Sequence, residues 1–196
     1  MHELILSKAI SSLSKGRIIV YPTDTLYGLG ADIFNKEAVK QVFKIKNRPL
    51  SLPISIAVSC IEDLDKIAYV DNKIKKIIDI FLPGKLTIII KKRKSVPSII
   101  TSGKENIAIR IPNNIKALQI LSDFGPLTCT SANIHGKATP TNINDIQMQF
   151  KDVDISVYIN DGELKDMAST IVDLTGKKPL ILREGVITKK EIMDRI

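Results

Sequence analysis

The sequence contains no tryptophan, and aromatic residues make up only 5% of the chain. Proteins that bind single-stranded nucleic acids usually stack the bases on aromatic side chains, and no platform of that kind is evident here. The formal net charge is nevertheless +8, which favours anionic partners without identifying them. A non-enzymatic protein that binds tRNA or double-stranded RNA through shape and phosphate contacts is therefore one alternative.

Cysteine and histidine are also scarce, with two of each in the chain. Cys60 and Cys129 show neither metal-ligand spacing nor a disulfide framework, and both are expected to be small core residues. His2 and His135 are the only histidines, and no neighbouring pattern orients either one for a Ser–His–Asp or Cys–His mechanism. The sequence therefore predicts neither a protein metal site nor covalent nucleophilic catalysis.

Long apolar runs and phosphate-binding glycine motifs are missing as well. No segment reaches the length of a membrane span, and the first residues lack the basic start and long apolar stretch of a signal peptide. We therefore expect a cytoplasmic protein with no membrane partner. Neither GxGxxG nor GxxxxGK[ST] is present. The hydrophobic content of 44% indicates a globular chain that forms one domain over residues 1–196.

Short apolar segments alternate with amphipathic segments along the chain, which predicts an α/β fold. Lone strands in the second half imply some antiparallel pairing and hence a mixed sheet. Capping boxes are predicted at Ser59 with Glu62 and at Thr188 with Glu191, and residues 96–106 are predicted to form a long loop. The predicted strands cover residues 17–20, 54–58, 86–90, 107–111, 127–130, 157–159, 170–174 and 180–182, and the main helices cover residues 3–14, 35–46, 71–81 and 114–124.

Residues 21–30 (YPTDTLYGLG) follow the first predicted strand directly. They place hydroxyls and exposed backbone at a strand end, where open α/β sheets bind ligands. A tight polar connection without function is the alternative. Within this stretch Asp24 is assigned only a turn or capping role.

Cations and small polar groups follow several other predicted elements. Lys46 and Arg48 come after a helix and are suited to phosphate, although surface cations at a helix end are the alternative. Ser131 and Asn133 end an apolar strand, where they fit either a ligand or a turn.

Two arginines lie in or just after apolar strands. Arg110 interrupts an otherwise apolar strand and requires an anion, which is either a ligand carboxylate or an internal Asp or Glu. Arg183 repeats the pattern after residues 180–182, and Ser169 offers a hydroxyl at another strand. Together with Lys46 and Arg48, this inventory suits positioning and charge neutralisation, as in nucleotidyl transfer.

Taken in chain order, these motifs resemble the YrdC-like family of threonylcarbamoyl-AMP synthases, in its short, single-domain type. The resemblance covers nearly the whole chain. The fold it implies is a twisted, open mixed sheet with flanking helices around a concave basic cavity. The matching motifs lie at residues 22–30, 46–49 (Lys-x-Arg-Pro), 83–87 (Pro-Gly-x-x-Thr), 110–112 (Arg-x-Pro), 131–133 (Ser-x-Asn), 139–141, 169–173 and 182–185.

The resemblance also implies an activity. Members join L-threonine, bicarbonate and ATP, with Mg²⁺ carried on the phosphates, into threonylcarbamoyl-AMP and pyrophosphate, and a downstream transferase complex modifies tRNA. A paralogue that adenylates another carbamate is a further alternative. The implied threonine-binding residues are Thr25, Arg110, Ser131 and Ser169, and the implied ATP-binding residues are Lys46, Arg48, Asn133, Thr141 and Arg183, of which Lys46 and Arg48 are also expected to be catalytic.

Overall fold

The computed structural model describes residues 2–165 and 167–195. Strands and helices alternate through the described chain, as the sequence predicts. The helices are α1 (His2–Ser14), α2 (Lys36–Ile45), α3 (Ile61–Ile67), α4 (Asn72–Phe81), α5 (Ser98–Thr101), α6 (Ile115–Phe124), α7 (Ile143–Gln149) and α8 (Lys189–Met193). The strands are β1 (Ile19–Tyr21), β2 (Gly28–Gly30), β3 (Ile56–Ala57), β4 (Leu86–Lys91), β5 (Asn106–Arg110), β6 (Leu127–Thr128), β7 (Thr130–Ser131), β8 (Val157–Tyr158), β9 (Thr170–Asp173) and β10 (Leu180–Arg183).

The strands form two sheets, both of them mixed. The smaller sheet has the order β7-β2-β1-β8, and the larger has the order β10-β9-β4-β5-β3-β6. Parallel pairing joins β1 with β8, β3 with β5, and β4 with β9. The mixed α/β fold is therefore confirmed, with its strands divided between two sheets.

The helices cover the sheets with their apolar faces. In α4 the residues Ile74, Ile77, Ile78 and Phe81 are buried, at the i, i+3, i+4 and i+7 spacing of one helical face. Asp71 caps this helix by accepting a hydrogen bond from the Ile74 amide at 2.8 Å. A second buried cluster joins residues of α1 and α6 to β1. The periodic spacing and the caps thus account for the elements whose bounds the sequence predicts best.

The glycines at the end of the opening loop form a strand that is not among the strands predicted from the sequence. Gly28–Gly30 pairs antiparallel with β1, placing Gly30 opposite Ile19 and Gly28 opposite Tyr21. A Cβ atom on Gly30 would lie 2.9 Å from the Tyr21 ring. The missing side chain therefore lets the buried Tyr21 ring lie flat against β2.

Several local predictions need correction. The capping box at Ser59 and Glu62 is wrong, because α3 begins after Cys60 and the Ser59 hydroxyl contacts Asp63 instead. The capping box at Thr188 is confirmed. The predicted loop over residues 96–106 contains α5, helix α7 was not predicted, and the strand predicted over residues 127–130 is divided between β6 and β7.

Two further sequence expectations concern burial and membranes. Cys60 and Cys129 are partly buried, so neither belongs to the fully buried core. Across the residues that the structure describes, no helix combines the length and the apolar character that crossing a membrane requires.

Candidate functional site

A cavity of about 540 Å³ is lined by residues from both sheets. Alternate residues of β4, β5 and β9 face it because side chains alternate between the two faces of a strand. Residues 23, 25–28 and 129–131, from the smaller sheet and the segments next to its strands, also line it. Six of the nine predicted site residues contribute to its lining: Thr25, Arg48, Arg110, Ser131, Ser169 and Arg183.

Hydroxyl groups contact the guanidinium of Arg110 in the wall of the cavity. Arg110 is the last residue of β5, and its Nη1 donates to Thr25 Oγ1 at 3.0 Å. The Thr25 hydroxyl also lies 3.1 Å from that of Thr23, which holds the turn by accepting from the amides of Thr25 and Leu26. The opening loop is therefore folded so that it presents Thr25 to Arg110.

Arg110 also has an internal counter-ion. Its Nη2 lies 2.5 Å from Asp24 Oδ1, and the two side chains are only 6% and 7% exposed. Asp24, to which the sequence assigned only a turn or capping role, is therefore the internal carboxylate that the buried arginine requires. Asp24 Oδ2 and Arg110 Nε are both buried without a hydrogen-bond partner among the described residues. The pair is thus incompletely satisfied.

Ser169 lies between Thr87 and Arg183. Its hydroxyl is 2.8 Å from Thr87 Oγ1, and its carbonyl accepts from Arg183 Nε and Nη2 at 3.1 and 2.8 Å. Burial lowers the pKa of Arg183, and the charge of Arg110 lowers it further. Arg183 and Arg110 are therefore electrostatic neighbours. Thr87 is not among the site residues predicted from the sequence, although it belongs to the Pro-Gly-x-x-Thr motif.

Arg48 lines the cavity and holds the segment that follows it. Its Nε donates to the Leu52 carbonyl at 3.3 Å and its Nη2 to the Pro53 carbonyl at 2.8 Å. Burial lowers the pKa of Arg48. Within residues 2–165 and 167–195, neither Arg48 nor Arg183 forms an ion pair with a carboxylate, so both keep their charge for a ligand.

Lys46, by contrast, does not line the cavity and is only 2% exposed. Its Nζ donates to the carbonyls of Ser131 and Asn133 at 2.5 and 2.7 Å, and to Asn133 Oδ1 at 3.2 Å. Burial, and then the charge of Arg48, lower the pKa of Lys46 to about 7. Asn47, between the two cations, has a φ of 50°, a left-handed conformation that is common where a helix ends.

The remaining predicted ATP-binding residues lie beside the cavity and do not line it. The Asn133 side chain donates to the carbonyls of Ile134 and Lys137 and accepts from the Ser131 hydroxyl at 2.6 Å. Thr141 Oγ1 donates to Glu163 at 3.1 Å. Direct contacts of Lys46, Asn133 and Thr141 with a nucleotide stay predictions.

Other lining residues were not found from the sequence. Lys104 and Asn106 line the cavity, and neither carries a local signal beyond its residue type. Asp173 supplies a carboxylate to the lining, the only one among the described residues, and accepts from the Thr175 amide and hydroxyl. No group of three His, Cys, Asp or Glu side chains suited to a metal occurs in the described part of the chain. The cavity thus offers hydroxyls and cations for an anionic ligand.

Comparison with known proteins places this cavity in context. A family model for the Sua5, YciO and YrdC proteins, described as "Telomere recombination", matches residues 11–185. The chain is 44% identical over 176 residues to a putative threonylcarbamoyl-AMP synthase of Methanocaldococcus jannaschii, covering 88% of this chain and 81% of that protein. It is 34% identical over 187 residues to the threonylcarbamoyl-AMP synthase of Pyrococcus abyssi, covering 94% and 55%.

Solved structures give the same picture. The crystal structure of P. abyssi Sua5 complexed with L-threonine matches with a TM-score of 0.93 at 34% identity, covering 100% of this chain and 58% of that one. Escherichia coli YciO matches with a TM-score of 0.89 at 29% identity, covering 98% and 94%. The chain therefore spans just over half the length of the P. abyssi protein and most of the YciO chain.

Proposed function

This chain belongs to the Sua5, YciO and YrdC family, and we propose that it is an L-threonylcarbamoyl-AMP synthase, a nucleotidyltransferase. Its substrates are L-threonine, bicarbonate and ATP, and its products are threonylcarbamoyl-AMP and pyrophosphate. One observation carries the proposal: a single cavity is lined by Arg110 and Thr25 together with Arg48 and Arg183. The L-threonine complex of the P. abyssi relative supports an amino acid as one substrate.

The amino acid binds beside Arg110. Arg110, Thr25 and Ser169 supply one guanidinium and two hydroxyls there, which suits a carboxylate. Ser131 lines the same cavity and is the fourth proposed contact. With its carboxylate held, the amino group of threonine is left free to react.

The ammonium group of threonine first gives a proton to bicarbonate, which releases carbon dioxide and water, and the resulting amine then attacks the carbon dioxide. A C–N bond forms, and a proton is lost to give the carbamate. A carbamate oxygen then attacks the α-phosphorus of ATP, and the bond to the bridging oxygen of the β-phosphate breaks to release pyrophosphate. Such a transfer depends on positioning and charge stabilisation, and the cavity lining supplies cations and hydroxyls for both.

The phosphates lie at the arginines that have no carboxylate partner among the described residues. Arg48 and Arg183 donate to carbonyl oxygens and stabilise the charge that develops on pyrophosphate. Lys46, Asn133 and Thr141 shape the adjoining segments, and their contact with ATP is part of the proposal. Mg²⁺ enters as part of the MgATP substrate.

The product is a reactive mixed anhydride, so a second protein must accept its threonylcarbamoyl group. We propose a downstream transferase complex that modifies tRNA, and a cytoplasmic location. Direct RNA binding by this chain is the second candidate function, and the net charge of +8 favours it. RNA binding with a steep salt dependence and no ATP consumption would favour that function instead.

A pyrophosphate-release assay tests the proposed function. Purified protein is expected to release pyrophosphate from MgATP only when both threonine and bicarbonate are present, with threonylcarbamoyl-AMP identified by mass spectrometry. Absence of pyrophosphate with all three substrates contradicts the proposal. Release that needs carbamoyl phosphate instead of threonine and bicarbonate would identify a paralogue that adenylates another carbamate.

A further inference from the structure

Both proposed substrates carry anionic groups, and several cations line the cavity. The carboxylate of threonine and the phosphates of ATP could therefore compete for the same cations. Arg48, Arg110 and Arg183 all contribute guanidinium groups to the lining. Arg110 lies close enough to Arg183 for its charge to lower the pKa of Arg183. A triphosphate chain bound at Arg183 therefore has a neighbouring cation toward which it can extend. Selective binding of the amino acid at Arg110 therefore requires a feature that disfavours phosphate there.

The three arginines differ in one respect. Arg110 is paired with a carboxylate, Asp24, at 2.5 Å. Arg48 and Arg183 donate to carbonyl oxygens and, for Arg183, to a serine hydroxyl at 3.4 Å. In the part of the chain that the structure describes, Arg110 is thus the one of the three whose positive charge is already balanced.

We propose that Asp24 determines which substrate binds at Arg110, by making the region around Arg110 accept a zwitterion and reject a polyphosphate. This inference rests on the proposed function. A free amino acid carries no net charge, so its ammonium group is attracted by Asp24 while its carboxylate binds Arg110 and Thr25. A triphosphate carries only negative charge and is repelled by the same carboxylate.

The unpaired oxygen of Asp24 strengthens this argument. Asp24 Oδ1 binds Arg110, but Oδ2 is buried and accepts no hydrogen bond from the described residues. Burial in a medium of low dielectric keeps such a charge poorly screened. Asp24 itself does not line the cavity, so it acts through its charge and through Arg110. It is therefore a positioning and selecting residue, and it makes no contact with the reacting atoms.

Inorganic tripolyphosphate is the probe that isolates this effect, because it carries the charge of the ATP phosphates without a nucleoside. Isothermal titration calorimetry of the wild-type chain is expected to give one tripolyphosphate site, and L-threonine is expected to bind at the same time. In Asp24→Asn, which keeps an oxygen for Arg110 Nη2 and removes the charge, a second tripolyphosphate is expected at Arg110. Tripolyphosphate should then weaken threonine binding at least tenfold.

Two control variants separate charge from structure. Asp65→Asn removes the same charge from another Asp–Arg pair, formed on the surface with Arg93 at 3.2 Å, and is expected to keep one site. Asp24→Glu keeps the charge and should also keep one site. If Asp24 were merely structural, Asp24→Asn would lower the melting temperature and weaken both ligands without adding a site.

The outcomes are decisive even if Asp24→Asn does not fold. Mutual exclusion of threonine and tripolyphosphate in the wild type overturns the proposal, and so does a single tripolyphosphate site in folded Asp24→Asn. Simultaneous binding in the wild type supports it. Failure of the wild type to bind threonine would count against the proposed function, whereas the number of tripolyphosphate sites is measured without threonine and tests Asp24 separately.

Discussion

Lys46 makes two of its three side-chain hydrogen bonds to one residue, Asn133, through the main-chain oxygen at 2.7 Å and Oδ1 at 3.2 Å. A main-chain hydrogen bond joins the same two segments, because the Lys46 carbonyl accepts from the His135 amide at 2.6 Å. The end of α2 is thereby fixed to residues 131–135. This geometry separates the expected effects of replacing Lys46 from those of replacing Arg48.

Replacing Lys46 with methionine is expected to lower the stability of the chain. Methionine keeps much of the buried aliphatic stem but leaves the carbonyls of Ser131 and Asn133 without the ammonium donor. Unsatisfied buried acceptors of this kind cost about 2–4 kcal/mol in the free energy of unfolding, measurable by urea denaturation. Lys44→Met, on the exposed side of the same helix, is the control. Equal stabilities for the two variants would contradict the prediction.

The stability that Lys46 contributes should depend on pH. Its folded pKa is lowered to about 7, whereas lysine in an unfolded chain has a pKa of about 10.4. Between these values the unfolded state binds the extra proton, so the free energy of unfolding rises with pH, by up to about 1.4 kcal/mol per pH unit. Urea denaturation at several pH values between 7 and 10 should therefore show the free energy of unfolding of the wild type increasing relative to that of Lys46→Met. Parallel pH profiles would contradict the assignment.

Replacing Arg48 with alanine should affect activity much more than stability. Its guanidinium donates to the carbonyls of Leu52 and Pro53 at the cavity wall, and its proposed partner in the reaction is a phosphate. Loss of such a charge contact costs a factor of about 100 or more in turnover. Pyrophosphate release measures the loss, and the melting temperature should stay near that of the control Lys44→Ala. A large fall in melting temperature would instead indicate a structural role.

The contrast between Lys46 and Arg48 also shows how much of the site can be predicted from the sequence. Their spacing and the following proline identified a functional segment, and Arg48 does line the cavity. A two-residue spacing does not reveal that Lys46 binds main-chain carbonyls while Arg48 lines the cavity. The carbonyls that bind Lys46 lie 85 and 87 residues away, so no local pattern could identify them.

The partner of Arg110 is a second feature that the sequence alone could not identify. The sequence established that a buried arginine needs an anion and left open whether a ligand or an internal acid provides it. Only the tertiary fold brings Asp24 to Arg110 across 86 residues. Long amphipathic helices such as α4 and α6 were predictable from their periodicity and caps, whereas two-residue strands such as β6 and β7 arise from pairing partners elsewhere in the chain.

Gly185 supports Ser169 by close packing. A Cβ atom there would overlap the Ala168 carbonyl and lie 2.8 Å from the Ser169 carbonyl carbon and the Thr170 amide nitrogen. Gly185→Ala is therefore expected to push this backbone away, cost about 1–3 kcal/mol in the free energy of unfolding, and raise the KM for threonine through Ser169. Gly176→Ala is the matched control, because its nearest neighbour would be the Lys178 carbonyl at 3.6 Å. If Gly185→Ala matched that control in stability and in KM for threonine, Ser169 would not depend on this contact.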